Sequence, residues 1–365
     1  MTTRLALISV LLSLLAACGQ PSSSSSSTPA TAASAATPAA NSGGLVTPEP
    51  QASAGPVVVY SSRQEQLIKP LFDRFTEETG IEVQFQTGEE GPLIARLQAE
   101  GADTYADVFY TVDAGNLWLA ADKGLLRPLH SEILERDIPP QYRDPQGRWF
   151  GLSLRARTIA YSKERVDPAQ LSTYEDLADP KWKGKLCLRT SKKVYNMSLV
   201  ATMIDRLGEQ KTEDVVRGWV ANLAAPVFSS DLAIVDAIAA GQCDVGIINT
   251  YYLGQIQQQK PNVPVALFWA NQQGSGVHVN VSGAGITKHA KNPAGAQRLL
   301  EWLSTAEPQL MFSQLNLEYP ASPAVEPVAL VKSWGLEYKR DTINVEIAGR
   351  LQADAVKLMD RADYR

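Results

Sequence analysis

From residue 57 onward the chain alternates short β-branched runs with helical stretches, and this alternation constrains the fold more than any other feature. Val57-Val58-Val59-Tyr60 reads as a strand. Leu67, Ile68, Leu71, Phe72 and Phe75 follow at helical spacing, and Gly80 closes that helix. Glu82 to Thr87 alternates with Val83 and Phe85 on one face, as a strand does. Leu93, Ile94 and Leu97 mark a second helix, Asp107 to Thr111 a third strand and Leu117 to Lys123 a third helix. The pattern returns with a strand at Gly184 to Leu188, a helix at Ser198 to Leu207 and another carrying Trp219, Val220 and Leu223. Ile234, Ile238 and Ala239 mark a helix ended by Gly241, and Asp244 to Asn249 is a strand that runs into Thr250-Tyr251-Tyr252. An α/β fold with mixed, mostly parallel sheets is expected, rebuilt as a second lobe so that a cleft lies between two lobes. In such sheets ligands bind beyond the carboxyl ends of strands, which here are Tyr60 to Glu65 and Thr111 to Asp113.

The chain has 365 residues, but its first 56 carry almost no charge. Met1 to Cys18 has one basic residue, Arg4, then an apolar run from Leu5 to Ala17 that is too short to span a bilayer. The small residues of Leu15-Ala16-Ala17 before Cys18 predict a lipoprotein signal over 1–18, with Cys18 acylated; the alternative is an ordinary export signal with an incidental cysteine. Residues 19–56 include an unbroken run from Ser22 to Ser27 and only one charged residue, Glu49, so they are expected to be a disordered Ser/Ala/Pro-rich tether. The chain is thus read as exported and lipid-anchored, in the periplasm or on the outer face of the cytoplasmic membrane. Export makes a Cys187–Cys243 disulfide the expectation, the alternative being two buried thiols.

The net charge of −5 excludes a nucleic-acid binder, which needs a basic surface. His130, His278 and His289 are too far apart to suggest a multi-histidine metal cluster. A Gly-x-Ser-x-Gly elbow and a Gly-rich phosphate loop are both missing from the sequence, so an enzyme is not expected. The tyrosines are more informative: Tyr251-Tyr252 ends a predicted strand and Tyr195 lies just before a predicted helix. Any one of them alone reads most simply as a half-buried ring with its hydroxyl bonded.

The folded part, 57–365, resembles the bacterial periplasmic ferric-ion-binding proteins, the solute receptors of iron ABC importers. The resemblance is carried by Tyr60-Ser61-Ser62-Arg63, Thr111-Val112-Asp113-Ala114-Gly115, Trp149-Phe150-Gly151 through Arg155-Ala156-Arg157, Val194-Tyr195-Asn196, Asn249-Thr250-Tyr251-Tyr252-Leu253 and Asn316-Leu317-Glu318-Tyr319-Pro320. It implies a two-lobed periplasmic-binding-protein fold of the class II type. It also implies Fe(III) as the ligand, an inner-membrane permease as partner, and no catalytic step. In that family adjacent tyrosines are the core ferric ligands, which map here to Tyr251 and Tyr252. In its tyrosine-rich branch a third tyrosine matches Tyr195. That branch also supplies a His-Tyr pair after the first strand, where this chain has Gln64-Glu65.

Ferric iron is a hard cation that favours anionic oxygen, and a metal makes the phenolate favourable at neutral pH. Three phenolates balance Fe(III). Glu65 is the expected fourth ligand and Asp113 its competitor. Arg63, Gln64, Arg155 and Arg157 are expected around the ligands. Arg155 and Arg157 there either offset excess negative charge or hold carbonate or another small anion; surface ion pairing is the alternative for each. A helix N-terminus near Ser191 to Asn196 also suits an anion, but Tyr195 fills much of that space, which favours anion-independent binding. A receptor for an organic cation such as a polyamine or a thiamine-like solute is the competing reading, and there Trp118, Trp149 or Trp269 would matter more. From the resemblance, lobe 1 is expected to hold 57–157 and 281–331, and lobe 2 to hold 158–280 and 332–365, in a monomer. Ile347, Leu351, Val356 and Leu358 are the expected apolar contacts of a C-terminal helical tail.

Overall fold

The computed structural model describes residues 55–365. The expected signal over 1–18, with Cys18, and nearly all of the 19–56 tether lie outside the described residues.

Nine strands are present among the described residues: β1 (Val57–Ser61), β2 (Val83–Thr87), β3 (Val108–Thr111), β4 (Phe150–Ser162), β5 (Leu186–Cys187), β6 (Val245–Asn249), β7 (Val265–Phe268), β8 (Val279–Ile286) and β9 (Tyr319–Pro320). They run in the order β2-β1-β3-β8-β4-β6-β5, with β7 and β9 also paired to β4. The organising element is β4. Its first half, Phe150 to Ala156, pairs with β8 and β9. Its second half, from Arg157, pairs with β6 and β7. One strand therefore belongs to both lobes, and Arg155 and Arg157 sit where it passes from one to the other. Nearly every residue of β4 is buried on both faces, as a strand shared by two covered sheets must be.

The parallel expectation holds for the outer strands of each lobe, where β1 pairs in parallel with β2 and β3, and β5 with β6. The crossing strands differ. All pairings of β4, and that of β8 with β3, are antiparallel, because the chain returns through the middle of the sheet. Gly283 lies at that crossing; a Cβ there would stand 2.3 Å from the Phe150 carbonyl oxygen, so no side chain fits.

Helices cover the sheet faces. The first runs over Glu65–Thr79 and ends on Gly80 in the left-handed region, at φ 71°. Its buried face of Ile68, Leu71, Phe72 and Phe75 packs with Leu299, Leu300 and Trp302. Burial of each such large side chain is worth about 1.5–3 kcal/mol. Cys187 at the end of β5 and Cys243 just before β6 form the expected disulfide, with Cα atoms 6.0 Å apart.

Three local expectations need correction. Tyr195 lies inside the first turn of the Val194–Leu207 helix, not before it. Tyr251 and Tyr252 lie in the first turn of the Thr250–Gln259 helix, because β6 ends at Asn249. In the C-terminal tail Val356 is exposed, and Ala355 and Met359 take the core positions beside Leu358 in the Gln352–Arg361 helix. The short Ile347–Arg350 helix before it touches both the Ala114–Asp122 helix and the Val194–Leu207 helix.

Candidate functional site

A cleft of about 370 Å³ opens at the carboxyl ends of β1, β2, β3, β5 and β6. Ser62, Arg63 and Gln64 follow β1, Glu89 and Glu90 follow β2, and Val112 follows β3. Arg189, Lys193 and Tyr195 follow β5, and Tyr251, Tyr252 and Gln255 follow β6. Arg155 enters from β4, and Ser282 and Glu318 from the crossing side. The three tyrosines expected from the sequence thus share one wall.

The Tyr251 and Tyr252 rings lie 4.4 Å apart, centroid to centroid. The Tyr251 hydroxyl accepts from Asn249 Nδ2 at 3.1 Å, and Asn249 Oδ1 accepts from Arg157 Nη1 at 3.1 Å. Tyr195 is only 8 % exposed, with the Arg155 guanidinium 5.5 Å, Arg189 5.6 Å and Lys193 5.2 Å from its ring centre. Burial pushes the Tyr195 and Tyr251 phenols well above their ordinary range; Tyr252 adds to the effect in both, and Arg155 opposes it. A metal that bound there would have to displace those protons.

The two arginines of β4 have different surroundings. Arg157 is buried and fully engaged: it donates to Asn196, Asp231, Asn249 and the Ile247 carbonyl, so it holds the tyrosine wall together from behind. Arg155 is also buried but lines the cleft. It donates to the Val112 carbonyl through Nη2, and its Nη1 has no hydrogen-bond partner among the described residues. Surface pairing therefore applies to neither. Arg63 is buried too. Burial works against its charge, yet Glu318 at 2.7 Å holds the guanidinium protonated, and Ser282 Oγ accepts at 2.6 Å.

The carboxylates are distributed differently from expectation. Glu65 is exposed at the first position of its helix and is not among the residues lining the cleft; Gln64 is the residue of that segment that does line it. A helix start suits a solvated carboxylate on its own account. Asp113 is completely buried as the cap of the Ala114–Asp122 helix, accepting from Gly115 N, Ser198 Oγ and Asn280 Nδ2. Burial raises its pKa to about 6, against the pull of Arg155 at 3.6 Å. It too is absent from the cleft lining. The acids at the cleft are Glu89, Glu90 and the paired Glu318. Glu89, Glu90, Arg189 and Lys193 were missed in the sequence, although each follows a strand end and the carboxyl-end rule reaches them.

Trp118, Trp149 and Trp269 do not line the cleft; Trp149 is fully buried and Trp269 stacks on Tyr338 at 3.8 Å. Among the described residues no group of three or more His, Cys, Asp or Glu side chains gathers as a metal cluster. What the cleft offers a cation is the phenol oxygens of Tyr195, Tyr251 and Tyr252 together with the carboxylates of Glu89 and Glu90.

Two lobes joined by a shared strand, with a polar cleft at the strand ends, define a solute receptor. The model of the bacterial extracellular solute-binding proteins matches residues 60–310, and the chain belongs to that family. Within it the chain is 41 % identical to iron uptake protein A1 of Synechocystis sp. (strain PCC 6803) over 84 % of this chain and 87 % of that protein. It is 29 % identical to the Fe(3+)-binding periplasmic protein of Serratia marcescens, covering 69 % of this chain and 75 % of that one. Among solved structures, the Trichodesmium FutA (IdiA) protein in complex with iron and citrate superposes with a TM-score of 0.82 at 44 % identity, over 85 % of this chain and all of that one. These relatives are binding proteins, a non-enzymatic role.

Proposed function

We propose that this chain is the ferric-iron receptor of an ABC importer, capturing Fe(III) between its lobes on the phenolates of Tyr195, Tyr251 and Tyr252 and delivering it to a permease in the inner membrane. The observation that carries this reading is the convergence of those three side chains on one wall of the cleft. Likeness to iron-binding relatives supports it. Three phenolates match the charge of the ferric ion, and hard oxygen donors match its preference.

The fourth oxygen comes from the first lobe in this reading, and Glu89 and Glu90 are better placed to supply it than Glu65. The unpartnered, buried Nη1 of Arg155 and the nearby Arg189 and Lys193 also suit a small oxyanion completing the coordination shell. The sequence favours binding without an added anion, with carbonate or another small anion as the alternative; the Trichodesmium relative, in complex with iron and citrate, supports the alternative. The lobes divide at the midpoint of β4, with 57–157 and 281–331 on one side and 158–280 and 332–365 on the other. Iron loads on the tyrosine wall first, and closure brings the first-lobe oxygen. The permease then reads the closed form. The receptor is a monomer exported to the periplasm and tethered by acylated Cys18.

Adding ferric citrate to the purified protein tests this. Phenolate-to-Fe(III) charge transfer should give a broad visible band that saturates at one equivalent. A protein that stays colourless, or that responds equally to spermidine by calorimetry, sinks the assignment.

A further inference from the structure

Arg189 stands between two partners that it only partly satisfies. Its Nη1 is 3.4 Å from the Tyr252 hydroxyl and 3.7 Å from Asp231 Oδ1. Asp231 is completely buried; its Oδ2 accepts from Arg157 and from the Asn249 backbone, while Oδ1 has no hydrogen-bond partner among the described residues. The Arg189 Nε is buried and unpartnered as well. The guanidinium also lies 5.6 Å from the Tyr195 ring centre and 5.9 Å from that of Tyr252.

The backbone of Arg189 is held from elsewhere in the chain. Its carbonyl accepts from Asn196 Nδ2 at 3.0 Å and from the hydroxyl of Tyr364 at 2.5 Å. Tyr364 is buried, and the Ser191 N–H donates to the carbonyl of Arg365 at 3.3 Å. The C-terminal residues thus fasten the loop that carries Arg189 into the cleft.

Building on the ferric reading above, we propose that Arg189 is a positioning residue for the metal-binding tyrosines, and that Tyr364 sets its place. A guanidinium is always charged and carries several donors in a fixed fork. Held beside the Tyr252 oxygen, it stabilises negative charge there and orients the ring, while Asp231 keeps it from swinging into the cleft. The C-terminal tail is therefore part of the binding site without touching the ligand. The specificity consequence is chemical. A cation beside a phenolate oxygen lowers the energy of its donor electrons, so it moves the charge-transfer band to shorter wavelength; by holding the ring in its binding orientation it restrains iron loss.

The test compares the wild type with Arg189→Met, Arg189→Lys and Tyr364→Phe, each loaded with ferric citrate after its thermal melt shows a folded chain. Arg189→Met is expected to move the visible band to longer wavelength and to release iron to excess citrate about tenfold faster, the size of a lost charged hydrogen bond. Arg189→Lys should return the band part of the way. Tyr364→Phe, which removes one hydroxyl far from the metal, should move it in the same direction by less. Should Arg189→Met not fold, Tyr364→Phe alone decides. A folded variant that loads iron with an unmoved band and unchanged release overturns the role of Arg189. A wild type with no band at all overturns the ferric reading instead, and this inference with it.

Discussion

The Tyr251 and Tyr252 rings, neighbours in the first turn of one helix, lie 4.4 Å apart with their planes at 42°. Residues adjacent in a helix normally face about 100° apart. Here both rings line the same cleft, so the turn that follows β6 presents two phenol oxygens at once. Replacing both by Phe keeps the rings and removes only the oxygens. The visible iron band should vanish and iron affinity should fall by more than about a hundredfold, beyond what a change outside the ligand shell costs. Stability should fall by only about 1–2 kcal/mol, since the two hydroxyls have one protein partner each, Asn249 for Tyr251 and Arg189 for Tyr252. An iron titration and a urea melt of the double variant check both halves.

The first-lobe oxygen can be assigned by comparing two charge-neutral substitutions. Glu90→Gln alters a cleft carboxylate, whereas Glu65→Gln alters an exposed one outside the lining. Glu90→Gln should weaken iron binding about tenfold or more, and Glu65→Gln should leave it within about a factor of two. Competition against citrate reads both. The reverse order returns the role to Glu65.

The alternating pattern made the α/β class legible because each strand and helix carries its own period, independent of its neighbours. The place of Tyr251 and Tyr252 was legible for a related reason, since they follow a strand whose apolar run, Val245 to Ile248, is unmistakable; that they and Tyr195 form one ligand set came only from the resemblance to the ferric-ion-binding proteins. Glu65 stands outside the cleft lining, where Gln64 takes its place, because one residue of offset at a helix start decides between cleft and solvent, and sequence spacing does not fix that offset. Asp113 reads as a strand-end acid in both roles, as ligand or as helix cap; only the donors of Gly115, Ser198 and Asn280 distinguish them. The antiparallel crossing was illegible because β8 and β4 are separated by more than a hundred residues and pair by topology, not by local preference.

Cys187 and Cys243 close a loop 56 residues apart that joins β5 to β6 and contains Arg189 and Tyr195. In the chain-entropy model such a bridge stabilises by about 4 kcal/mol. Replacing both cysteines by Ala should lower the unfolding free energy by roughly 2–4 kcal/mol, seen as a lower urea midpoint. Because the loop carries one wall of the cleft, iron should restore part of that loss by binding only the folded state. A midpoint equal to that of the wild type means that the bridge does not form in the purified protein.

His278 gives the fold a dependence on acid. It is buried at the crossing, with Nδ1 3.2 Å from Thr202 Oγ1. Burial, together with Arg155 and Arg157 nearby, lowers its pKa from 6.5 to about 3. The folded protein therefore holds it neutral where an unfolded chain protonates it. Its contribution is fully present above about pH 6.5 and is lost as the pH falls toward 3. Asp113, raised to about 6, acts in the opposite sense, favouring the folded state as the pH drops from 6 to its unfolded value. The two are separated by comparing His278→Asn with the wild type at two pH values. At pH 7.5 the substitution should cost stability, through lost packing and the Thr202 contact. At pH 4.5 the gap between the two proteins should narrow by roughly 2–3 kcal/mol, because only the wild type loses stability to protonation of this ring in the unfolded chain. Urea melts at both pH values measure the gap directly, and a gap that stays constant assigns the acid sensitivity to some other group.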